Sequence, residues 1–227
     1  SPKEFYQTQL AQHNQLLDKL KKQLAVSSTL RVVLFIAVCV AVYVAFGNIQ
    51  MVIASIVVGI VLFVYMVSRH STLQYKRDLA KALIHGNEVE LKALNREFHD
   101  LPAGNEFKNP EHAFSQDIDL FGRGSFYQYC NRTALQMGSE KLAHLLTENT
   151  IDNIPQKQEA VKELSKLAVW RQHFSAVASL VKTEISSDRV VTWLKYYKPF
   201  TPKWIKGVAE GFSILSVAFM ALYFFEV

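Results

Sequence analysis

Catalysis and ligation need polar or titratable side chains at defined spacings, and few such sets occur in this sequence. Its seven histidines, His13, His70, His85, His99, His112, His144 and His173, are scattered. None belongs to a His-Glu-x-x-His pair, and neither Cys39 nor Cys130 has a partner at zinc-ligand spacing. The two cysteines therefore read as free thiols. His85 and His99 reach a carboxylate such as Glu88 only through folding, and as isolated residues they read as solvated imidazoles. Asp117 and Asp119 share a side if their segment is extended, as a paired-carboxylate site requires; local capping or a salt bridge accounts for them more simply. Gly122-Arg123-Gly124-Ser125 is the nearest approach to a phosphate-cradling loop, but it lacks the Lys and the spacing of Gly-x-x-x-x-Gly-Lys-Ser/Thr. Ser125 has no Gly-x-Ser-x-Gly setting to make it a nucleophile. The expectation is a chain without catalytic, cofactor-binding or metal residues, not an enzyme, and with no small-molecule substrate.

The elements around these residues are dominated by apolar runs. Half of the 227 residues are hydrophobic and only 20% are charged, which excludes a disordered chain. Val32 to Phe46 and Met51 to Val67 are fifteen and seventeen residues without a charge. With Leu30 and a snorkelling Arg31, each run approaches the roughly 20 residues of a membrane-spanning helix. Only Gly47-Asn48-Ile49-Gln50 separates them, so residues 30–68 read as a two-span hairpin and not as a signal peptide. Lys19, Lys21, Lys22 and Arg31 precede the hairpin, Arg69, Lys76 and Arg77 follow it, and the connecting loop carries no charge. The positive-inside rule places both ends in the cytoplasm and the loop outside. Ala37, Ala41 and Ala45, with Ser55 and Gly59, recur at a spacing of four and suit close packing of the two spans. The absence of Asp, Glu, Lys and His from both runs argues against a transporter.

Residues 1–29 read as an amphipathic helix with Leu10, Leu17 and Leu24 seven apart and Leu16 and Leu20 beside them. It either lies on the membrane or in a short coiled coil, or packs on the chain's own cytoplasmic part. Residues 71–101 read as a polar connecting helix that Gly86-Asn87 can divide. After the turns at Leu101–Asn105 and Asn109-Pro110, Ser125 caps a helix running to about Gln136, with Gly138 as its terminator. A short helix follows over Ser139–Leu146. Asp152 or Asn153 then opens a long helix with Pro155 in its first turn, running to Leu180. Ser187-Asp188 caps a further helix that Pro199 and Pro202 end, with Lys203 and Lys206 at the edge of a third apolar run. That run, within residues 208–227, reads as the start of a third span, and its position leads to the expectation that the chain is a fragment of a longer protein. The fold class is all-α, with no clear strand.

The stretch Asp117-Ile-Asp-Leu-Phe-Gly-Arg-Gly-Ser-Phe-Tyr-Gln-Tyr-Cys-Asn-Arg-Thr133, continued by Gly138, Leu142-Ala143 and Leu145-Leu146, resembles the entry to the core domain of MutS-family DNA mismatch repair proteins. Ile154-Pro-Gln-Lys-Gln-Glu-Ala-Val-Lys-Glu-Leu164 is similar to that family's Ile-x-x-Arg-Gln-x-Ala-Val-x-Glu-Leu helix, with Lys157 in place of the usual Arg. The resemblance covers about residues 111 to 182, within a helical core over 111–205. Joined to the hairpin, it is similar to a membrane-tethered branch of MutS-like proteins from Bacteroidetes-type bacteria. It implies a lever-like core that relays motion from an ATPase domain further along, where ATP and Mg²⁺ would bind; none is expected in this chain. It also implies homodimers. The family-motif positions are Asp119, Gly122, Ser125, Asn131, Thr133, Gly138, Leu142, Glu159, Ala160, Val161, Glu163 and Leu164, all with structural roles.

The net charge of +5 supports DNA as a partner only weakly, since much of the excess lies beside the apolar runs, where it satisfies topology and attracts anionic lipid. Arg123, Arg132, Lys141, Lys157, Lys162 and Lys166 are the residues that can contact DNA or lipid, beside Tyr127 and Tyr129; a solvated helix face explains them as well. The other reading of the whole chain is a membrane scaffold or sensor that binds protein partners through its helical core.

Overall fold

In a computed structural model, residues 1–148, 150–181, 187–197 and 204–224 are described, and every regular element among them is helical. The chain divides into two units, Ser1–Lys182 and Thr183–Val227.

The first unit is built on two long helices. The first, α1 (Pro2–Val44), begins with a capping box in which Ser1 Oγ accepts from the Glu4 N–H, and Pro2 lies where no backbone donor is needed. It runs without interruption from the polar N-terminal segment into the first apolar run. Gly47 (φ 108) turns the chain, and the Asn48 side chain accepts from Met51 N–H to start α2 (Ile49–Leu94). The helix continues through Gly86-Asn87. Gly86 faces open space, while Asn87 is fully buried and donates from Nδ2 to the Leu83 carbonyl at 2.7 Å, which ties it into the helix instead of breaking it. The helix ends at Leu94, short of the expected Leu101. Arg96 (φ 63) takes the left-handed position there, with Arg96 N–H to Ala93 O at 3.0 Å and Glu97 N–H to Lys92 O at 2.8 Å. This is a Schellman ending with Arg where Gly is usual.

The two helices pack antiparallel in one register. Ser27 meets His70, and Val38 meets Gly59, so eleven residues along one helix are matched by eleven along the other. From Leu10 to Val38 the buried or half-buried positions of α1 are Leu10, His13, Leu17, Leu20, Leu24, Ser27, Arg31, Leu34 and Val38, alternating by three and four. On α2, Val52, Gly59, Met66, Leu73, Ala80 and Asn87 recur every seven. That is the seam of a coiled coil, made within one chain. Leu17, Leu20, Ala80, Leu73 and Ile84 form its apolar centre, whereas Leu16 is exposed. In the apolar half, Ser55 and Gly59 lie in the seam as the spacing suggested. Ala37 and Ala41 do not: both are exposed, and Leu34, Val38 and Val42 are the half-buried positions of that half instead. Both helices contain windows long and apolar enough to cross a membrane, with mean hydropathy 2.3 and 2.6, and almost none of the residues there is fully buried.

Beyond α2 come four shorter helices, α3 (Phe126–Cys130), α4 (Gln136–Thr147), α5 (Ile154–Ser165) and α6 (Ala168–Ser179). The helix expected from Ser125 to Gln136 stops after five residues. Asn131 Oδ1 accepts from Thr133 N–H at 3.0 Å, an Asx turn that carries the chain out of the helix. Gly138 is accordingly no terminator. It lies in the first turn of α4, where a Cβ would come within 3.1 Å of Thr133 Cβ. The single long helix from Pro155 to Leu180 is also two helices. Ser165 Oγ donates to the Lys162 carbonyl at 2.8 Å, and Leu167 leaves the helical region at ψ 47, so α5 closes before α6 begins. Asn153 precedes α5 with φ 57 and makes no side-chain cap.

The second unit contains α7 (Ser187–Tyr196) and α8 (Trp204–Phe224), the latter apolar over Gly207–Phe219. The expected stops at Pro199 and Pro202, Lys203, and the end of the third run at Phe225 lie outside the described residues.

Candidate functional site

Asp119, Gly122, Ser125, Asn131, Thr133, Gly138 and Leu142 lie in a knot between α2 and the end of α4, whereas Glu159, Ala160, Val161, Glu163 and Leu164 lie apart from it on α5. The core of the knot is Leu120, Phe121, Tyr127 and Ala143, with Phe107, Leu142 and Leu146 against it. Three aromatic rings, Phe107, Phe121 and Tyr127, meet pairwise at centroid distances of 5.3 to 5.8 Å. Burial pushes the Tyr127 phenol above its ordinary range.

Polar side chains close the knot. Ser125 is buried, and its Oγ accepts from Gln128 N–H at 3.1 Å. Gln128, also buried, uses its whole amide: Nε2 donates to His99 O at 3.1 Å and Leu101 O at 2.6 Å, and Oε1 accepts from Gly124 N–H at 2.7 Å. Gly122 is buried at φ 114, and its N–H donates to Ala103 O at 2.8 Å. Gly104 (φ 67) lies against the Tyr127 ring. Asn131 accepts from Thr133 Oγ1 at 2.7 Å and donates to the Tyr127 hydroxyl at 3.3 Å, while the Thr133 and Ser139 hydroxyls meet at 2.6 Å. Asp119 adopts φ 46 in an exposed turn, so its segment is not extended and no carboxylate pair with Asp117 is built. Sequence reasoning missed Gln128 and His112. The His112 Nδ1 accepts from Ser115 N–H at 3.2 Å, so Nε2 carries the proton and donates to Thr147 O at 3.2 Å. One imidazole thereby links the turns after Asn109 to the end of α4. A cavity of about 360 Å³ opens beside it, lined by Phe107, Phe121, His112, Glu140 and His144 among others.

A second polar cluster joins the long helices to the rest. Asn87 Oδ1 accepts from Gln172 Nε2 at 2.8 Å, binding α6 to α2. Glu90 of α2 lies 3.3 Å from Arg132 Nε, and about three quarters of each side chain is buried. Arg132 Nη1 also donates to the Tyr129 and Asn131 carbonyls at 2.8 Å. Tyr6 of α1 approaches the same place: burial and then the Glu90 carboxylate push its phenol up, against the guanidinium groups of Arg171 and Arg132. Arg132 is thus held inside the fold and not offered to a phosphate.

The remaining basic positions are exposed: Arg123 and Lys141 on the knot, and Lys157, Lys162 and Lys166 at α5. Lys157 and Lys162 line one groove with Ile154 and Val161. Glu159, Ala160, Val161, Glu163 and Leu164 are exposed on the same helix, and with Leu167, Val169, Trp170 and Phe174 they leave α5 and α6 with a broad uncovered apolar surface. Trp170 and Phe174 stack at 5.2 Å. No group of three or more His, Cys, Asp or Glu side chains is placed to hold a metal among the described residues. The buried groups of the knot are bonded to one another, so its arrangement does structural work: it holds a turn-rich segment rigid at the end of a helical hairpin.

Comparison with known proteins returned no matching family model, no similar curated protein and no similar solved structure.

Proposed function

We propose that this chain is the membrane-anchoring and relay region of a MutS-like ATPase, without chemistry of its own. The observation that carries the reading is the bond between Asn87 and Gln172, which fixes α6 to the buried face of α2. Displacement imposed on α6 is thereby delivered to a helix that continues into an apolar span. In this reading the hairpin crosses the inner membrane of a bacterium with Asn48 outside, α8 begins a third span, and ATP and Mg²⁺ bind in a domain beyond this chain. Chains pair as homodimers, and DNA is engaged mainly elsewhere. The break at Ser165–Leu167 makes the relay a jointed one, with α5 as the arm that receives the motion.

A second reading, a scaffold that binds protein partners, is favoured by the exposed Val161, Leu164, Trp170 and Phe174, an apolar surface suited to another protein. The test is fluorescence anisotropy of labelled duplex, mismatched and branched DNA with the detergent-solubilised chain at two salt concentrations. The relay and scaffold readings both expect no binding, or binding that disappears as salt rises. Structure-selective binding that survives high salt would move recognition into this chain, onto Arg123, Lys141 and the lysines of α5.

A further inference from the structure

Between Asp18 and Asp78 the chain has no carboxylate side chain, yet it carries Lys19, Lys21, Lys22, Arg31, Arg69, Lys76 and Arg77. Two of these are neutralised by the acids at the limits of the stretch, Lys21 by Asp18 and Arg77 by Asp78. The others form a cationic collar at the base of the apolar hairpin and meet no counter-charge among the described residues. Within it one point is built and not merely charged. Arg31 stands in the α1–α2 seam, half-buried, one residue before the apolar run that starts at Val32. Its Nη2 donates to Ser28 Oγ at 3.3 Å, while its Nε is shut off from solvent with no partner among the described residues. Across the seam, His70 Nδ1 meets Ser27 Oγ at 3.2 Å, three residues past the end of the second apolar run at Val67. The two helices thus bring a guanidinium, an imidazole and two hydroxyls to one level. His70 is held below the ordinary imidazole range, by partial burial first and then by the Arg31 and Arg77 charges, as befits a group in a positive field.

We propose that this level of the hairpin is a binding site for the phosphate of an anionic phospholipid, held by Arg31 with His70, Ser27 and Ser28 around it. A guanidinium matches phosphate oxygens with a fork of donors. The apolar run beginning at Val32 puts that fork where a bilayer has its headgroup phosphates. An anionic lipid is selected over a zwitterionic one because no carboxylate lies between Asp18 and Asp78 on the two helices to receive a choline or ethanolamine ammonium, and the collar repels it. The inference rests on the hairpin crossing a bilayer and not on the relay reading.

The test uses the purified chain in phosphatidylcholine nanodiscs doped with phosphatidylglycerol, with lipid retention read by native mass spectrometry. Wild type is expected to keep phosphatidylglycerol in preference to phosphatidylcholine. Arg31→Gln is expected to reduce that retention by on the order of tenfold, as loss of one charge-assisted forked contact implies. Arg31→Lys is expected to restore it in part, whereas Lys19→Gln with Lys22→Gln leaves most of it. Insertion is checked separately, through protection of the spans from protease, and helix content by circular dichroism. A chain that fails to insert overturns the bilayer reading and the site with it. A chain that inserts but retains both lipids equally, or retains phosphatidylglycerol undiminished after Arg31→Gln, overturns the site alone. Displacement of the lipid by millimolar inorganic phosphate would assign the site to a free anion and overturn the lipid assignment.

Discussion

Gly104 shows how much a single residue carries in the knot. It holds φ 67, and a Cβ there would stand 2.6 Å from Tyr127 Cδ1 and 3.1 Å from Phe121 Cδ1. Both rings belong to the buried core, so neither can yield cheaply. Gly104→Ala combines backbone strain with overpacking and is expected to cost about 2–4 kcal/mol, read as a lowered denaturant midpoint; an unchanged midpoint would show that the knot is loose. His13, in the α1–α2 seam, carries a pH effect. Burial holds its pKa below the ordinary 6.5. Above that value the imidazole is neutral in both states and pH has no effect. As pH falls through it, the unfolded chain takes up a proton that the folded chain resists, so stability is lost downward and levels off below the folded pKa. His13→Leu is expected to flatten the fall in thermal midpoint between pH 7.5 and 5.5, and an identical fall in the variant would assign the effect elsewhere. What was legible at this scale was local. Ser125 as a cap follows from residues within one turn of it. Gln128, which reaches back to His99 and Leu101, and Gly104, whose reason is Tyr127, depend on contacts that no short window contains.

Among the elements, the seven-residue spacing of Leu10, Leu17 and Leu24 was readable, and so was its extension into a helix. Its partner was not, because α2 carries its own repeat with Gly, Met, Ala and Asn at seam positions as well as Val and Leu, a pattern that hydrophobicity alone does not pick out. The expected small-residue face of the first span failed for a related reason. Ala37 and Ala41 are spaced correctly between themselves but are exposed, whereas Leu34, Val38 and Val42, also four apart, take the half-buried face of the same helix. Close approach is therefore achieved from one side, by Gly59 under Val38. A Cβ at Gly59 would lie 2.6 Å from Val38 Cγ2. Gly59→Ala is expected to weaken hairpin packing by about 1–3 kcal/mol in micelles. The contact is with a branched side chain and not backbone, so Val38→Ala should recover most of the loss in the double variant. Additive losses in that cycle would mean that the two positions do not touch. The break between α5 and α6 was hidden in the same way, since Ser165 turning to the Lys162 carbonyl leaves no Gly or Pro in the sequence to mark it.

For the molecule as a whole, the apolar runs and their short connection announced a helical hairpin, because span length is a physical requirement that composition records directly. The attachment of the remaining helices was not announced: Asn87 and Gln172 are 85 residues apart, and each alone is an ordinary polar residue on a helix. The geometry carries a definite topological consequence. Two antiparallel helices joined at Ala45–Asn48 place Ser27 and His70 at one level and Asn48 at the other end, so both polar halves must share one side of any bilayer the hairpin crosses. The acid-free, cation-rich flanks then select which side, since Lys and Arg resist translocation. Asn48→Cys, in a chain whose Cys39 and Cys130 are replaced by Ala, is expected to react with a membrane-impermeant maleimide added to intact bacterial cells. A cysteine at exposed Gln12 is expected to react only after permeabilisation. Labelling at both positions in intact cells would mean that the two long helices lie along the membrane surface, and labelling of Gln12→Cys alone would invert the hairpin and set the collar of Arg31 and Arg69 on the outer face.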